Sequence, residues 1–324
     1  MKILVTGGAG YIGSVLTAKL LDSGHEVIVL DSLINGHKEA VDARAKFVSG
    51  DIADAVLLKE IFSENTRIDA VAHLAGFIEV SESVKDPEKY FDNNYEKPKV
   101  LIEEMLAAGV KNIIFSSTAA VYGIPKEDLI KETHPTEPIN AYGESKLKLE
   151  QFLLEQKKNG LNSVSLRFFN ASGATKEHGE MHNPETHLIP ILIKSALHEI
   201  PEAQIFGSDY ETKDGSALRD YVHVEDIAEA HLLLLENMKN QEKLEVTYNI
   251  GSGIGFTVLE VVAAVEKVSG KKMNIKYAPR RAGDPAKLVA SSELIKELGW
   301  IPKYNSIEEI ITTAWNWHSK NAVR

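Results

Sequence analysis

Short apolar runs alternate with segments of helical periodicity along the first half of the chain. Six such runs predict buried strands, over Lys2–Thr6, Glu26–Leu30, Lys46–Ser49, Ala70–Leu74, Asn112–Ser116 and Ser163–Phe168. Between them, a helical spacing of apolar residues predicts helices over Tyr11–Leu21, Ala55–Phe62, Pro87–Ala108 and Tyr142–Gln156. Strands that are apolar on both faces and alternate with helices predict an α/β fold with a doubly wound parallel sheet.

The pattern changes after residue 168. Polar segments over 170–186 and 207–216 predict loops. Helices are predicted over Ile189–His198, Val224–Glu236, Phe256–Val268, Ser292–Leu298 and Ile307–Ser319, and strands over Thr247–Ile250 and Asn274–Tyr277. We therefore predict a large domain over residues 1–168, to whose sheet residues 222–250 return, and a smaller α+β domain over residues 169–324.

Composition narrows the expected partners. The 324 residues carry a formal net charge of -11, which disfavours binding to nucleic-acid phosphate and to anionic membranes. The chain has no cysteine, which excludes disulfides, thiol nucleophiles and cysteine metal sites and fits a reducing compartment. No apolar stretch reaches the roughly 18 residues of a membrane helix, and the first residues are not typical of a signal peptide. We expect a cytoplasmic protein.

A glycine-rich turn follows the first predicted strand, in the segment Thr6-Gly7-Gly8-Ala9-Gly10-Tyr11-Ile12-Gly13. Gly7 permits a tight turn, Gly10 lets the backbone approach a pyrophosphate, and Gly13 allows close packing of helix against strand. The free N–H groups of a helix N-terminus favour an anion at this point. Asp31 ends the second predicted strand, where a carboxylate binds ribose hydroxyls and repels a 2′-phosphate. The pattern predicts a Rossmann-type site for NAD rather than NADP.

Asp51, directly after the third predicted strand, has two interpretations. Its carboxylate could accept a hydrogen bond from the adenine amino group, or it could cap the N-terminus of the following helix. The spacing alone does not separate these two roles.

Tyr142 and Lys146 lie one helical turn apart and so share a helix face. Taken alone, such a pair is more typical of two side chains on the protein surface. A free phenol, with a pKa of about 10, is a poor base, but a nearby ammonium and a positive nicotinamide ring would lower that pKa. Ser116, Ser117 and Thr118 follow the fifth predicted strand, at the edge where open α/β sheets bind ligands. We predict that Tyr142 is a general base and that a hydroxyl from this edge shares the substrate's proton.

Four motifs in chain order carry a family resemblance: the glycine turn, Phe115-Ser-Ser-Thr-Ala-Ala-Val-Tyr-Gly123, Tyr142-x-x-x-Lys146 and Arg167-Phe-Phe-Asn170. Together they resemble the extended short-chain dehydrogenase/reductase superfamily. Two later segments, Arg219-Asp-Tyr-Val-His223 and Ala278-Pro-Arg-Arg-Ala-Gly-Asp284, are similar to the UDP-glucose 4-epimerase family, so that the resemblance covers essentially the whole chain. It implies interconversion of UDP-glucose and UDP-galactose through transient oxidation and re-reduction at C4 by bound NAD. It also implies a homodimer formed through the helices predicted over 87–108 and 142–156.

The resemblance implies a role for individual residues. Catalytic roles fall on Thr118, Tyr142 and Lys146. NAD-binding positions are Gly7, Gly10, Tyr11, Ile12, Gly13, Asp31, Asn35, Asp51, Ile52, Leu74, Ala75, Asn93, Tyr142 and Lys146. Substrate-binding positions are Thr118, Asn170, His187, Leu188, Phe206, Arg219, Arg281, Asp284 and Leu288. Arg219 and Arg281 are two of only seven arginines, and arginine suits bidentate phosphate contacts, although a surface ion pair is the alternative for each.

Three positions depart from the family pattern or vary within it. Ile78 stands where some members have a lysine near the cofactor, and His187 replaces an asparagine. Leu288 occupies the position that gates the room around the C2 substituent of the sugar. Family members have either a large tyrosine or a smaller residue at this position. Because leucine is intermediate in size, 4-epimerisation of UDP-N-acetylglucosamine and UDP-N-acetylgalactosamine is the alternative function.

Two further functions are less favoured. A nucleotide-sugar 4,6-dehydratase of the same superfamily would have an Asp-Glu pair after Thr118, where this chain has Ala119 and Ala120. A non-enzymatic NAD-binding regulator would be expected to lack the Tyr142 and Lys146 pair.

Two groups of potential metal ligands lie in predicted loops. The first contains His178, Glu180, His182, Glu185 and His187. The second contains Asp209, Glu211 and Asp214. The first spacing fits no standard zinc pattern and the second lacks the spacing of a calcium loop, so we predict no metal at either.

Overall fold

The computed structural model describes residues 1–64, 67–281 and 284–321. Its strands are β1 (Lys2–Thr6), β2 (Glu26–Asp31), β3 (Lys46–Ser49), β4 (Ala70–His73), β5 (Asn112–Thr118), β6 (Asn162–Phe168), β7 (Asn170–Ser172), β8 (Ala203–Phe206), β9 (Leu218–His223), β10 (Thr247–Ile250), β11 (Gly255–Thr257), β12 (Ile275–Ala278) and β13 (Lys287–Leu288). Its α-helices are α1 (Tyr11–Asp22), α2 (Ala55–Glu64), α3 (Val80–Lys85), α4 (Pro87–Phe91), α5 (Lys97–Ala107), α6 (Ala141–Glu155), α7 (Leu188–Ala196), α8 (Val224–Lys239), α9 (Val258–Ser269), α10 (Glu293–Lys296) and α11 (Ile307–Asn321). A π-helical turn over Asp92–Glu96 joins α4 to α5.

Seven strands form one parallel sheet, in the order β10-β6-β5-β4-β1-β2-β3. The predicted doubly wound α/β architecture is confirmed, since β1 lies in the interior and the chain winds outward from it in both directions. The order reverses between β1 and β4, and a crevice opens outside the carboxyl ends of two strands at such a point. The turns after β1 and β4 therefore occupy the position where this fold binds ligands.

Apolar side chains on both faces explain why these segments form a central sheet. Ile3, Leu4 and Val5 of β1 are fully buried, as are Val71 of β4 and Ile113 of β5. Helices α5 and α6 close this core with Leu101 and Leu149. Burial on both faces is typical of parallel sheets covered by crossover helices.

A second set of strands is smaller and was largely missed by the sequence pattern. Strands β11, β9 and β13 form one sheet, to which β7 adds by pairing with β9, and β8 pairs with β12. Of these strands only β12 was predicted, and β7 begins within a segment predicted to be loop. They are two to six residues long and partly polar, so they carry little periodic signal. Helices α7, α9 and α11 build the adjoining core from Leu192, Val265 and Ile311.

The chain divides into two compact units. The first unit contains residues 1–122, 136–167 and 228–248, and the second contains residues 123–135, 168–227 and 249–324. Segment 123–135 falls within the predicted first domain but belongs to the second unit. Ile130 forms a β-bridge with Ala290, and the Glu132 carboxylate accepts a 2.8 Å hydrogen bond from the backbone N–H of Asn249. Contacts of this kind between distant segments are invisible to local sequence patterns.

The helices of the described residues are short and polar on one side. The longest of them, α8, has 16 residues and carries Glu225 and Asp226 in its first turn. Within the described ranges, none is long and apolar enough to cross a membrane.

Candidate active site

The turn between β1 and α1 has the geometry of an anion site. Gly7 has a φ of 75°, and a Cβ built there would lie 2.6 Å from the Ala75 backbone nitrogen. A Cβ on Gly13 would lie 2.1 Å from the Gly7 carbonyl oxygen, so both positions require glycine. Gly10 precedes α1 with no side-chain cap, and the first turn of α1 contains no acidic residue. The helix N-terminus therefore offers its positive end to a pyrophosphate.

Asp31 lies at the carboxyl end of β2 and is held by backbone donors. It is buried, with one carboxylate oxygen 3.0 Å from the Ala9 N–H and the other 2.8 Å from the Leu33 N–H. Each carboxylate oxygen can accept a further hydrogen bond. This geometry fits a carboxylate that binds ribose hydroxyls beside the glycine turn.

Asp51 does not cap the helix that follows it. The cap of α2 is Asp54, which accepts hydrogen bonds from the Val56 and Leu57 N–H groups at 3.1 and 3.0 Å. Asp51 accepts a bond from the Ala53 N–H and forms a 2.6 Å ion pair with Lys97. Burial raises the pKa of Asp51, but the bonds from Lys97 and Ala53 bring it below its ordinary value. The helix-cap interpretation of Asp51 is wrong.

The other predicted cofactor positions also follow strand ends in the first unit. Tyr11 and Ile12 lie in the first turn of α1, Asn35 in the exposed segment after β2, and Ile52 after β3. Leu74 and Ala75 follow β4, and Asn93 lies in the π-helical turn. Ile78 lies in the loop between β4 and α3 and is partly buried. All of these positions except Asn93 and those in the first turn of α1 therefore lie in the turns after β2, β3 and β4. The glycines and backbone donors of the turn after β1 fit NAD.

Helix α6 begins so that Tyr142 lies close to the end of β5. The Asn140 side chain caps α6 by accepting a 2.8 Å hydrogen bond from the Gly143 N–H. A Cβ on Gly143 would lie 2.6 Å from the Ala120 carbonyl oxygen, so the first turn of α6 touches the backbone that follows Thr118. Tyr142 hydrogen-bonds Thr118 through their hydroxyls. Glycine at position 143 therefore permits the contact on which the predicted chemistry depends.

Lys146 is buried one turn further along α6. Its Nζ donates a 3.0 Å hydrogen bond to the Ser116 carbonyl and lies 4.9 Å from the centre of the Phe115 ring. Burial lowers the pKa of Lys146 to about 8, although Glu150 raises it in part. The structure thus places Lys146 beside the end of the strand that carries Thr118, one helical turn from Tyr142.

The expected lowering of the Tyr142 pKa by Lys146 is not found in the chain without a bound cofactor. Burial raises the pKa of the Tyr142 phenol, and the hydrogen bond with Thr118 lowers it in part. Lys146 is not among the groups that shift this pKa. The phenol is partly buried and packs edge-on against Tyr90, with ring centres 6.5 Å apart. Activation of the phenol in the free chain therefore needs positive charge beyond that of Lys146.

A buried ion pair supports this site and was not found from sequence. Arg167 of β6 donates to Glu150 of α6 from Nη2 at 2.5 Å and from Nε at 3.0 Å. Ser117 Oγ donates to the same carboxylate at 2.5 Å, and Arg167 also donates to the Tyr122 hydroxyl at 2.9 Å. Both charged side chains are less than a tenth exposed. An arginine inside a predicted buried strand was the signal that could have revealed this pair.

Asn94 is a second residue that sequence reasoning missed. Its side-chain oxygen accepts a 2.8 Å bond from the Phe77 N–H, and its side-chain nitrogen donates a 2.9 Å bond to the Phe77 carbonyl. Asn94 thereby fixes the loop after β4 to the π-helical turn that contains Asn93. A Cβ on Gly76 would lie 3.1 Å from both Asn94 and Lys146, so this loop runs close to the lysine.

Most predicted substrate positions lie in a compact group in the second unit. Arg219 and Leu288 are direct partners in the parallel pairing of β9 and β13. Arg219 is buried, donates a 2.8 Å bond to the Leu218 carbonyl and pairs with Asp284. The Arg281 guanidinium lies 3.9 Å from the centre of the Phe206 ring. Ala282 and Gly283 of the same motif lie outside the described residues.

The remaining substrate positions lie on other elements of this unit. Asn170 pairs in register with Tyr221, on the same strand as Arg219. His187 and Leu188 begin α7, and His187 Nδ1 lies 2.9 Å from the Glu185 carboxylate. Burial lowers the pKa of His187, but Glu180 and Glu185 raise it well above its ordinary value. His187 therefore forms hydrogen-bonded ion pairs with Glu180 and Glu185.

The second predicted loop group is structural in part. Asp209 pairs with Arg280 at 2.7 Å on the surface. Asp214 accepts bonds from Ser216 and from the Thr257 hydroxyl, at 2.7 and 2.5 Å. Because Thr257 also caps α9, Asp214 positions the start of that helix.

Comparisons with known proteins agree with this geometry. A family model for the NAD-dependent epimerase/dehydratase family matches residues 3–251. The chain belongs to this family. A UDP-glucose 4-epimerase of Lacticaseibacillus casei is 50% identical over 325 residues, covering 99% of this chain and 98% of the relative. Membership of the family confirms the resemblance seen in the motifs and the expected use of NAD.

Solved structures in the family have the same fold. A crystal structure of a UDP-glucose 4-epimerase is 45% identical and superposes with a TM-score of 0.96, covering 99% of this chain and 98% of the other. The UDP-glucose 4-epimerase of Bifidobacterium longum, solved with NAD⁺ and UDP, is 38% identical with a TM-score of 0.94 and covers 99% of both chains. The α/β fold of the family is therefore present over the full length of the chain.

Proposed function

We propose that this protein is an NAD-dependent 4-epimerase that interconverts UDP-glucose and UDP-galactose. The observation that carries the proposal is the hydrogen bond between Thr118 and Tyr142, one helical turn before the buried Lys146, together with a glycine turn of anion-site geometry. Full-length relatives with this activity, about half identical to the chain, support it. The reaction inverts one carbinol centre and involves no net oxidation.

In this proposal the first unit holds the cofactor and starts the chemistry. The glycine turn and Asp31 would bind the pyrophosphate and adenosine ribose of NAD, and Lys146 would bind the nicotinamide ribose. NAD, when bound, supplies a reversible acceptor for the C4 hydride. Tyr142 removes the proton of the sugar 4-hydroxyl, and Thr118 hydrogen-bonds the same oxygen. The two hydroxyls hold each other through their hydrogen bond, and the Ala120 N–H donates to Thr118 Oγ1 at 3.1 Å, so the protein contributes by positioning both groups.

The second unit would hold the nucleotide sugar. Arg219 and Arg281 are the cations proposed to contact the diphosphate, with Asp284 fixing the guanidinium of Arg219. Phe206 stacks on Arg281 and keeps its planar group oriented. Asn170, His187, Leu188 and Leu288 are the remaining proposed contacts. A diphosphate anchored in this way leaves the hexose free to present either face.

The test is product analysis with the purified protein. UDP-galactose should be converted into an equilibrium mixture with UDP-glucose without added reductant, and bound NAD should show transient absorbance of the reduced nicotinamide. A protein that binds NAD but leaves UDP-galactose unchanged would contradict the proposal.

A second candidate substrate pair is UDP-N-acetylglucosamine and UDP-N-acetylgalactosamine. Leu288 lies next to Arg219 in the β9 and β13 pairing and is smaller than the tyrosine of some family members. The added room would accept an acetamido group at C2. Turnover of UDP-N-acetylgalactosamine, measured beside that of UDP-galactose, tests this; no turnover next to rapid UDP-galactose conversion would exclude it.

We also propose that the protein is a cytoplasmic homodimer. The side chains of Leu154 on α6 and of Val84 on α3, the helix that precedes α4, are exposed to solvent. Apolar side chains of this kind on neighbouring helices suit a helical dimer interface. Light scattering of the purified chain tests the stoichiometry, and a monomeric mass would contradict it.

A further inference from the structure

A cluster of two histidines and two glutamates lies between β7 and α7 in the second unit. We call it the Glu/His cluster, and its members are Glu180, His182, Glu185 and His187. One ligand atom from each side chain lies within 4.8 Å of those of the other three. The spacing predicted no metal, yet the fold brings four potential ligands to one point.

The contacts within the cluster converge on the carboxylates. The Glu180 Oε1 atom lies 2.8 Å from Nδ1 of His182 and 2.8 Å from Nδ1 of His187. The Glu185 Oε1 atom lies 2.9 Å from the same nitrogen of His187. In the metal-free chain the imidazole N–H groups therefore donate to the two carboxylates, and a metal ion bound at this point would replace the protons held in these contacts.

Burial makes the negative charge of this cluster costly. The side chains of Glu180 and Glu185 are only 5% and 4% exposed. Two buried carboxylates this close to each other destabilise the folded chain unless positive charge compensates them. The imidazoles that contact both carboxylates can supply that charge, and a divalent ion bound in their place would supply it at the same point.

The backbone around the cluster is firmly placed. The Glu185 carboxylate accepts 2.8 Å hydrogen bonds from the N–H groups of Thr186 and His187. Gly179 packs so closely on α11 that a Cβ there would lie 2.3 Å from the Trp317 ring. Glu180 is thereby positioned by contact with a long helix. Ligands held by such outer contacts are typical of built metal sites.

We propose that Glu180, His182, Glu185 and His187 bind one divalent transition-metal ion, with Zn²⁺ as the best-matched ion. Two imidazole nitrogens and two carboxylate oxygens form a ligand set that zinc accepts in tetrahedral geometry. With metal–ligand bonds of about 2.0–2.1 Å, neighbouring ligand atoms would be roughly 3.3 Å apart. The three contacts of 2.8–2.9 Å would lengthen by a few tenths of an ångström to reach this separation, and the other pairs, all within 4.8 Å, would shorten by at most about 1.5 Å.

The proposed ion is structural rather than catalytic. All four positions of a tetrahedral ion are filled by the protein, whereas catalytic zinc keeps one position open for water or substrate. The ion would fix the segment that follows β7 onto the start of α7, where His187 and Leu188 lie. The proposal does not depend on the epimerase reaction and is tested by metal binding.

The experiment uses the full chain without a polyhistidine tag, treated with a chelator and returned to metal-free buffer. Titration with Zn²⁺ should give one saturable site per chain, and Co²⁺ should give the strong visible bands of a tetrahedral complex. At a hundredfold excess over Kd, Zn²⁺ should raise the midpoint of thermal unfolding by roughly 5 °C. Absence of saturable binding by the unsubstituted chain overturns the proposal and leaves a metal-free ion-pair cluster.

Variants locate the site. Glu180→Gln and His182→Gln should each weaken Zn²⁺ binding by at least about 100-fold. The matched control is Glu177→Gln, an exposed carboxylate in the same segment, which should bind Zn²⁺ as the unsubstituted chain does. Unchanged affinity in both cluster variants would overturn the assignment of these ligands. If a variant fails to fold, the Co²⁺ spectrum of the unsubstituted chain still decides between a tetrahedral site and no site.

Discussion

The two units place their functional side chains in different ways. In the first unit, site residues at the ends of parallel strands and on α6 are fixed by hydrogen bonds with backbone groups, as Asp31 and Lys146 are. In the second unit, short strands bring charged side chains together, and Arg219 and Asp284 fix each other. Substitutions in the first unit should therefore act on chemistry, and substitutions in the second on binding.

The largest expected effect follows from removing the phenol hydroxyl. Tyr142→Phe should reduce kcat by about 10²–10⁴-fold, because general base catalysis contributes that much, while UDP binding measured by calorimetry stays near normal. Tyr277→Phe, at an exposed tyrosine, is the matched control. Near-normal turnover of the Tyr142 variant would refute its role as the base.

A smaller loss is expected from displacing the same phenol without removing it. In Gly143→Ala the added Cβ would lie 2.6 Å from the Ala120 carbonyl, so α6 must shift away from the end of β5. A displacement of about 1 Å costs on the order of 100-fold in rate. The control is Glu144→Ala, an exposed neighbour in the same turn. Equal kcat values for these two variants would show that the close approach is unimportant.

Arg219→Lys should separate binding from chemistry in the second unit. Lysine keeps the charge but loses the planar, bidentate geometry, so we expect KM for UDP-galactose to rise about tenfold with a smaller change in kcat. Arg280→Lys is the control, since Arg280 forms an exposed pair with Asp209. A fall in kcat at constant KM would contradict the division of roles between the units.

The smallest effect concerns the pH dependence of stability. Burial lowers the pKa of Lys146 from 10.5 to about 8, so between these values the unfolded chain keeps a proton that the folded chain has lost. The free energy of unfolding should therefore rise with pH across this window through Lys146. In Lys146→Met this contribution should vanish, whereas Lys148→Met, at an exposed lysine of the same helix, should retain it. Urea unfolding at several pH values measures the difference, and identical slopes in all three proteins would contradict the assigned pKa.

Much of the first unit could be predicted because its signals are local. The apolar runs gave six strands of the large sheet, and the glycine spacing indicated the turn that follows β1. The arginine within β6 indicated that a buried partner exists, but neither the identity of that partner, Glu150, nor the bonds of Asn94 to Phe77 could be predicted, since these contacts join residues on separate elements. Fold class, cofactor and reaction agreed with the comparisons, whereas the roles of individual residues stay predictions.

The second unit was predicted less well for a related reason. Strands β8, β9 and β13 are short, and Arg219 and Asp220 of β9 are buried charges within a strand, which disrupts the apolar pattern. Asp220 is stabilised by hydrogen bonds from Ser252, Gly253 and Ala290, all distant in sequence. The sequence spacing of the Glu/His cluster likewise does not predict a metal site, because its four side chains come together only when the loop folds.

Neither compact unit is a continuous stretch of sequence, because the chain passes between them after residues 122, 135, 167, 227 and 248. A gene fragment ending near residue 168 would encode a sheet without β10, leaving β6 as an uncovered edge available for association with other chains. Simple truncation should thus give insoluble material rather than an isolated nucleotide-binding module. Exchange of one unit between two genes would require recombination at several of these crossing points at once. We therefore expect the two units to have diverged by substitution within a single gene.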